Sequence, residues 1–151
     1  MTTLLAIDPP AEREVSSTGW AFGEFSETQP FALLGSGVAE GGFAGFCADI
    51  NLHKLLRAAD VVVVEHYVVY DKNSDPTPLL AEGVARFLRP DAVLQRSSGK
   101  NTLVPDEKMK ALGLWSTEGH HHDQREAIRH ALVYLVQNRH LPTLRQLRTT
   151  Q

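Results

Sequence analysis

The sequence of 151 residues has a single cysteine, Cys47. A lone cysteine excludes an internal disulfide framework and a metal site built on cysteine pairs. No run of apolar residues approaches the roughly 20 that a membrane-spanning helix needs. The first residues, MTTLLAIDPP, lack the basic start and the long apolar stretch of a secretory signal. These absences favour a reducing, cytoplasmic location without membrane contact.

An excess of positive charge is also missing, because 18 acidic and 15 basic side chains give a net charge of −3. The charges are unevenly spread: residues 1–80 carry eleven acidic and four basic side chains, whereas residues 81–151 carry seven and eleven. This asymmetry is compatible with an anion-binding face in the second half and also with an ordinary solvated surface. The basic side chains that would form such a face are Arg86, Arg89, Arg96, Lys100, Lys108, Lys110, Arg125 and Arg129.

The length suits a single domain over residues 1–151 with a sizeable core, and the 42% of hydrophobic residues is ordinary for a globular protein. The hydrophobic pattern predicts strands followed by an alternation of helices and strands. Strands are expected at 3–7, 18–25, 31–38, 61–65 and 92–95, and helices at 43–59, 78–88, 105–112 and 123–138. Residues 95–102 are expected to form a loop, and the basic tail from about residue 140 is expected to be loosely ordered. The order predicts an α/β fold, in which a three-stranded antiparallel meander and parallel strands form one mixed five-stranded sheet with helices on both faces.

Four acidic residues stand at the ends of predicted elements. Asp8 ends the first strand and Glu65 ends the VVVV strand, while Asp123 and Glu126 are three residues apart on the last long helix. Residues three apart lie on one face of a helix. If the two strands are neighbours, the four carboxylates converge at one edge of the sheet.

Converging carboxylates repel one another unless a cation neutralises them, and hard oxygen ligands select Mg²⁺ or Mn²⁺. Two such ions can support hydrolysis of a phosphodiester, so we expect two per site. Each acid also has an ordinary alternative. Asp8 can cap a turn, Glu65 can end a strand facing solvent, and Asp123 and Glu126 can favour the positive end of the helix dipole.

The segments LLAIDPP…STGWAFGEF, VVVVEHYVVYDKN, TPLLAEGVARFL and HHHDQREAIRHALVYL resemble, in this order, those of the RuvC-like Holliday-junction resolvases, in particular the small bacteriophage versions. The resemblance spans nearly the whole chain and implies an RNase H-like fold. It places Asp8, Glu65, Asp123 and Glu126 on the family's metal ligands. Glu126 departs from the usual aspartate, and the loop Pro9–Val15 is longer than the usual glycine turn.

The resemblance implies a homodimeric, metal-dependent endonuclease that resolves four-way and other branched DNA junctions and leaves 5′-phosphate ends. The dimer would be lined by the TPLLAEGVARFL helix, and a phage-encoded chain would act in the host cytoplasm. An aromatic residue near the glutamate can enter the junction in that family, so Tyr67 and Tyr70 are candidates, with core packing as the alternative. The other expected DNA contacts are Lys72, Lys100, Lys108, Arg125 and Arg129, each of which can equally be an ordinary surface residue.

Other functions remain open at this point. The same fold can cut an RNA–DNA hybrid or a flap, and without converging acids the chain would be a non-catalytic module that binds branched DNA. An actin-like ATP-binding domain is disfavoured because that architecture needs two such domains. A zinc site at His120, His121 and His122 is also disfavoured, because adjacent histidines on a helix cannot all face one ion.

Overall fold

A computed structural model describes residues 1–69, 71–115 and 121–150. The first half of the chain forms β1 (Thr2–Asp8), β2 (Thr18–Phe25), β3 (Ala32–Ala39), α1 (Gly42–Ala48), α2 (Ile50–Ala58) and β4 (Val61–His66). The second half forms α3 (Thr77–Leu88), β5 (Val93–Arg96), α4 (Lys100–Leu103), α5 (Asp106–Ala111), α6 (His121–Gln137) and α7 (Leu141–Thr149).

The five strands form one sheet in the order β3-β2-β1-β4-β5. β1 pairs antiparallel with β2, and β2 pairs antiparallel with β3, whereas β4 runs parallel to both β1 and β5. The predicted mixed sheet, an antiparallel meander extended by parallel strands, is therefore confirmed. In the register of the central pair, Ile7 lies opposite Val64. The next residue of each strand is an acid, so Asp8 and Glu65 leave the sheet side by side.

The central strand β1 is buried on both faces, as Leu4, Leu5, Ala6 and Ile7 are fully inaccessible to solvent. Its side chains alternate between two cores. Leu4 and Ala6 pack in the core that contains the apolar side of α6, and Leu5 and Ile7 pack in the core under α1, α2 and α3. Helices therefore cover both faces of the sheet, which holds the ends of β1 and β4 at a fixed edge.

Three elements differ from the sequence-based expectations. The helix expected over 43–59 is two helices, because Asp49 has extended backbone and its side chain accepts a hydrogen bond from the Leu52 amide at 2.8 Å, which caps α2. The loop expected over 95–102 contains the start of α4. The expected loose tail is instead α7, in which Thr143 and Leu147 are buried.

Among the described residues, no helix is both long enough and apolar enough to cross a membrane.

Candidate active site

Asp8 and Glu65 lie side by side at the carboxyl ends of the two central strands. Their side chains share a hydrogen bond, and the Asp123 carboxylate is close enough to act on Asp8 through its charge. Burial, the hydrogen bond with Glu65 and the charges of Glu65 and Asp123 together raise the pKa of Asp8 well above its usual value. Burial is the largest of these causes, and the two acidic neighbours add to it.

Helix α6 delivers the other two acids by lying close against β2. A side chain at Gly19 would overlap the backbone of Asp123, so only glycine allows this approach. Ser17 donates a hydrogen bond to Asp123 Oδ2, and Gln124 Nε2 donates one to Ser36 Oγ at 2.5 Å. These contacts fix the first turns of α6, so Asp123 faces Asp8 and the buried Glu126 follows one turn later.

Lys100 lies inside the carboxylate cluster. Its Nζ is 2.6 Å from Glu126 Oε2 and 3.8 Å from Glu65 Oε1, and its side chain is 17% exposed. Burial by itself lowers the pKa of Lys100, but the hydrogen bond to Glu126 and the charges of Glu65, Glu126 and Asp8 outweigh it and raise the pKa. Lys100 was expected to contact DNA phosphate from a loop. In the structure Lys100 is the first residue of α4, and its ammonium group lies between two carboxylates.

The fully buried His130 lies next to the Glu65 carboxylate. Gln95 Nε2 donates to the backbone carbonyl of His130 at 3.0 Å, which fixes the orientation of the amide, and it lies 2.9 Å from His130 Nδ1. Nδ1 is therefore the acceptor, and the ring carries its proton on Nε2, which lies 3.3 Å from Glu65 Oε2. The side chain of Glu65 is thus held by a group whose own tautomer is set by Gln95.

The surroundings of Glu65 keep it ionised. Burial by itself raises the pKa of Glu65, but hydrogen bonds with His130 and Asp8 and the charge of Lys100 outweigh it and hold the pKa well below its usual value. Asp8 and Glu65 therefore have pKa values shifted in opposite directions. Pairs of carboxylates separated in this way are typical of catalytic sites.

Arg129 is almost completely buried, contrary to its expected role as a phosphate contact. Its guanidinium donates to Asn101 and to Asp106, and its Nε lies 3.6 Å from Glu126 Oε1. These partners come from α4, α5 and α6. Because the planar guanidinium is occupied on several sides, Arg129 joins the three helices instead of facing DNA.

The other expected DNA contacts are distributed over the molecule. Tyr67 lines the cleft beside the acids, whereas Tyr70 lies outside the described residues. Lys72 is exposed in the loop before α3. The Nζ of Lys108 donates to the Thr150 carbonyl, and the guanidinium of Arg125 lies over the Trp115 ring at 4.4 Å. Of the three consecutive histidines, His120 also lies outside the described residues.

The acids open into a cleft of about 820 Å³. One wall comes from the loop that follows β1. Two backbone hydrogen bonds attach this loop to the start of α1: Gly42 N donates to the Ser16 carbonyl at 2.7 Å, and Phe43 N donates to the Arg13 carbonyl at 3.0 Å. The residues that line the cleft include Asp8, Pro9, Ala11, Ser16, Ser17, Glu65, Tyr67, Arg96, Ser97, Ser98, Lys100, Asp123 and Glu126.

The donor set suits a hard divalent cation, because all four predicted ligands are carboxylates that line one cleft. Within the ranges that the structure describes, no group of three or more His, Cys, Asp or Glu side chains is already arranged to hold a metal ion. The carboxylates nevertheless fit a cation in charge and chemistry.

Sequence reasoning found the four acids but missed Ser17, Gln95 and His130. One signal was available for His130, since it follows Glu126 by four residues and therefore lies on the same helix face. No local signal marked Gln95, because its contact with His130 depends on how α6 packs against β5.

No family model matches the sequence, and no curated protein matches it. Two solved structures have a similar fold. A structure of Thermus thermophilus RuvC in complex with a Holliday junction substrate superposes with a TM-score of 0.64 and 15% identity, over 94% of this chain and 98% of that one. A structure of Thermus thermophilus RuvC superposes with a TM-score of 0.58 and 14% identity, over 91% of this chain and 96% of the other. With its mixed sheet in the order β3-β2-β1-β4-β5 and helices on both faces, this chain has the RuvC-like form of the RNase H-like fold.

Proposed function

We propose that this protein is a metal-dependent, structure-specific endonuclease that resolves four-way and other branched DNA junctions by paired hydrolysis of phosphodiester bonds. The observation that carries the proposal is the gathering of Asp8, Glu65, Asp123 and Glu126 around one cleft at the ends of β1 and β4. Support also comes from the similarity in fold to a resolvase solved with a Holliday junction. Carboxylates arranged in this way are suited to phosphoryl chemistry, for which positioning and charge stabilisation matter most.

In this proposal Asp8, Glu65 and Asp123 hold Mg²⁺ or Mn²⁺, and Glu126 joins them directly or through Lys100. The cation, when bound, supplies Lewis acidity for the phosphate and lowers the pKa of water. Glu65 stays ionised because of His130 and Lys100, and it can therefore accept a hydrogen bond from an attacking water. The water oxygen bonds to phosphorus and gives up a proton as the bond to the 3′ oxygen breaks, and the 3′ oxygen takes up a proton, which gives a 5′-phosphate and a 3′-hydroxyl.

The cleft offers both charge and apolar contact to a DNA strand. Arg96, Ser97 and Ser98 lie on one side, where the exposed arginine can contact a phosphate and the serines can donate hydrogen bonds. Tyr67 lies at the same opening and can stack on an unpaired base. Lys72 is exposed farther along the loop that follows β4 and extends the basic path in this proposal.

The proposal is tested by incubating the protein with a labelled four-way junction, a flap, a linear duplex and an RNA–DNA hybrid. Each substrate is assayed with Mg²⁺, with Mn²⁺ and with a chelator. We expect paired nicks near the crossover of the four-way junction, with 5′-phosphate ends, and no cutting when the chelator is present. Cutting of the hybrid alone would assign the site to a different substrate. Tight binding of the junction without cutting in any metal would make the chain a binding module.

We further propose that α3 forms a homodimer interface, because resolving a junction needs two sites related by a two-fold axis. Its outward face carries Phe87, which is 84% exposed, and Leu80, which is 47% exposed. Gly83 lies between them, and a Cβ added there would have no heavy atom within 4 Å, so a second backbone can approach at this point. An exposed apolar stripe of this kind on a helix is typical of a surface that another protein covers.

Phe87→Glu should convert the dimer to a monomer and abolish paired cutting of the junction, since it replaces the most exposed apolar side chain of the stripe with a charge. The measurement is sedimentation equilibrium together with the ratio of paired to single nicks. Leu141→Glu is the matched control, because Leu141 is 59% exposed at the start of α7, where a negative charge suits the helix dipole. A Phe87→Glu protein that sediments like the wild type would show that α3 is not the interface.

A further inference from the structure

The position of Lys100 within the acid cluster is the starting point. Its Nζ lies 2.6 Å from Glu126 Oε2 and 3.8 Å from Glu65 Oε1, so the positive charge sits between one acid from α6 and one from β4. Asp8 and Asp123 lie on the side of the cluster where Lys100 has no ion pair among the described contacts. Lys100 thus pairs with Glu126 and Glu65 and not with Asp8 or Asp123.

The backbone around Lys100 is held by several contacts. Gly99 adopts a left-handed conformation with φ of 77°, which turns the chain from β5 into α4 at Lys100. The Lys100 carbonyl accepts a hydrogen bond from Val104 N at 2.8 Å, and Val104 is fully buried. The neighbouring Asn101 receives a hydrogen bond from the buried Arg129. Lys100 is therefore directed at the acids by packed structure, unlike a solvated surface lysine.

A fixed ammonium changes how many cations the site can hold. The ammonium of Lys100 occupies the space between Glu126 and Glu65. A divalent ion bound between these two carboxylates would lie next to the ammonium, and like charges that close repel strongly in a partly buried site. Lys100 has no ion pair with Asp8 or Asp123 among the described contacts, so the geometry favours a single metal ion on their side of the cluster.

We propose that the Lys100 ammonium takes the second cation position of this site, so that the chain binds one divalent ion, held by Asp8, Asp123 and Glu65, instead of the expected two. This inference rests on the metal dependence in the proposed function. It assigns Lys100 a permanent positive charge beside Glu126, where it stabilises the negative charge of a bound phosphate without requiring a second metal ion. It also gives a reason for Glu126 in place of the usual aspartate, since the longer side chain reaches the ammonium at 2.6 Å.

The test is the stoichiometry of Mn²⁺ binding to the metal-free full chain without DNA, measured by isothermal titration calorimetry and by electron paramagnetic resonance. We expect one Mn²⁺ per chain for the wild type and two for Lys100→Met, in which the ammonium is replaced by an uncharged side chain of similar length. Lys100→Arg should keep a stoichiometry of one, because it keeps the charge. Lys54→Met, which removes an exposed lysine on α2, should also bind one.

The measured stoichiometries either support or overturn the inference. Two Mn²⁺ ions bound to the wild type would overturn it, because the lysine would then not exclude a second metal. A stoichiometry of one in both wild type and Lys100→Met would also overturn it, since another feature would then limit binding. Circular dichroism of each variant separates loss of fold from loss of binding. Absence of Mn²⁺ binding in every folded variant would overturn the metal dependence of the proposed function together with this inference, whereas the other two results leave that function intact.

Discussion

Asp8→Asn and Glu65→Gln should each lower the rate of junction cutting by about 10³-fold or more, a scale typical of residues that act as one unit. Both substitutions remove a carboxylate from the cleft but keep the size of the side chain. Binding of the junction should be retained, because most of its affinity would come from phosphate contacts outside the acid cluster. The measurement is single-turnover cutting of a four-way junction together with a mobility-shift assay in chelator. Glu27→Gln, at an exposed turn, is the control and should cut like the wild type.

The same two variants should change stability in opposite directions in the metal-free protein. The pKa of Asp8 is raised by burial and by its acidic neighbours, so the stability that Asp8 contributes is present at low pH and is lost as the pH rises through its folded value. Asp8→Asn removes this loss and should raise Tm at neutral pH. The pKa of Glu65 is lowered, so its contribution is present at neutral pH and is lost as the pH falls. Glu65→Gln should therefore lower Tm at neutral pH.

Thermal unfolding of both variants in chelator, followed from about pH 8 down to below the usual pKa of a carboxylate, checks the prediction, because Asp8 changes charge at the upper end of this range and the contribution of Glu65 is lost at the lower end. The difference between Asp8→Asn and the wild type should grow as the pH rises. If both variants lost stability equally, or if Asp8→Asn cut junctions at the wild-type rate, the opposed roles of the two carboxylates would be disproved. A stabilised but inactive Asp8→Asn would show that the site keeps a destabilising charge for the sake of binding a cation.

Gly19→Ala should have the second large effect, because the added Cβ would overlap the backbone of Asp123 where α6 meets β2. Neither backbone can move without disturbing the core that α6 shares with the sheet. We expect a loss of about 3 kcal/mol in the free energy of unfolding, at the upper end of ordinary overpacking costs. Cutting should fall even in the folded fraction, since displaced α6 carries Asp123 and Glu126 away from Asp8.

Gly35→Ala is the matched control in the same sheet. Its Cβ would meet the Trp20 ring at 3.8 Å, which is ordinary van der Waals contact, so the free energy of unfolding should change by less than about 1 kcal/mol. Urea unfolding followed by circular dichroism measures both variants, and the cutting assay is run at a temperature where each is folded. Equal stability of the Gly19 and Gly35 variants would mean that α6 does not rest on β2 as described.

The sheet and the four acids were predictable because they depend on local patterns. The VVVV run and the segment before Asp8 are so apolar that only a buried strand fits them, and each is followed directly by its acid. The spacing of Asp123 and Glu126 places both on one face of a helix regardless of the tertiary fold. The strand register then brings Asp8 and Glu65 together without further information.

The roles of the basic residues were not predictable, because they depend on contacts between distant parts of the chain. In the sequence, Arg129 and Lys100 are both basic residues near a predicted binding region, and no local pattern distinguishes their roles. Only the packing of α4 and α5 against α6 buries Arg129 with Asp106 and directs Lys100 at Glu126. The α7 helix was missed for a similar reason, since the apolar contacts of Leu147 in the core lie far from it in sequence.

The four acids are divided between β1, β4 and α6, and this division determines when the complete set is present during synthesis. Asp8 and Glu65 belong to the first half of the chain, and Asp123 and Glu126 belong to a helix that begins at His121. A nascent chain that has grown only as far as β5 contains the first two carboxylates and lacks the others, as does any fragment released by early termination. Ribosome-bound or truncated products therefore carry only two of the four carboxylates, so under the proposed function unfinished copies would be unable to cut the cell's own DNA and no separate inhibitor would be needed.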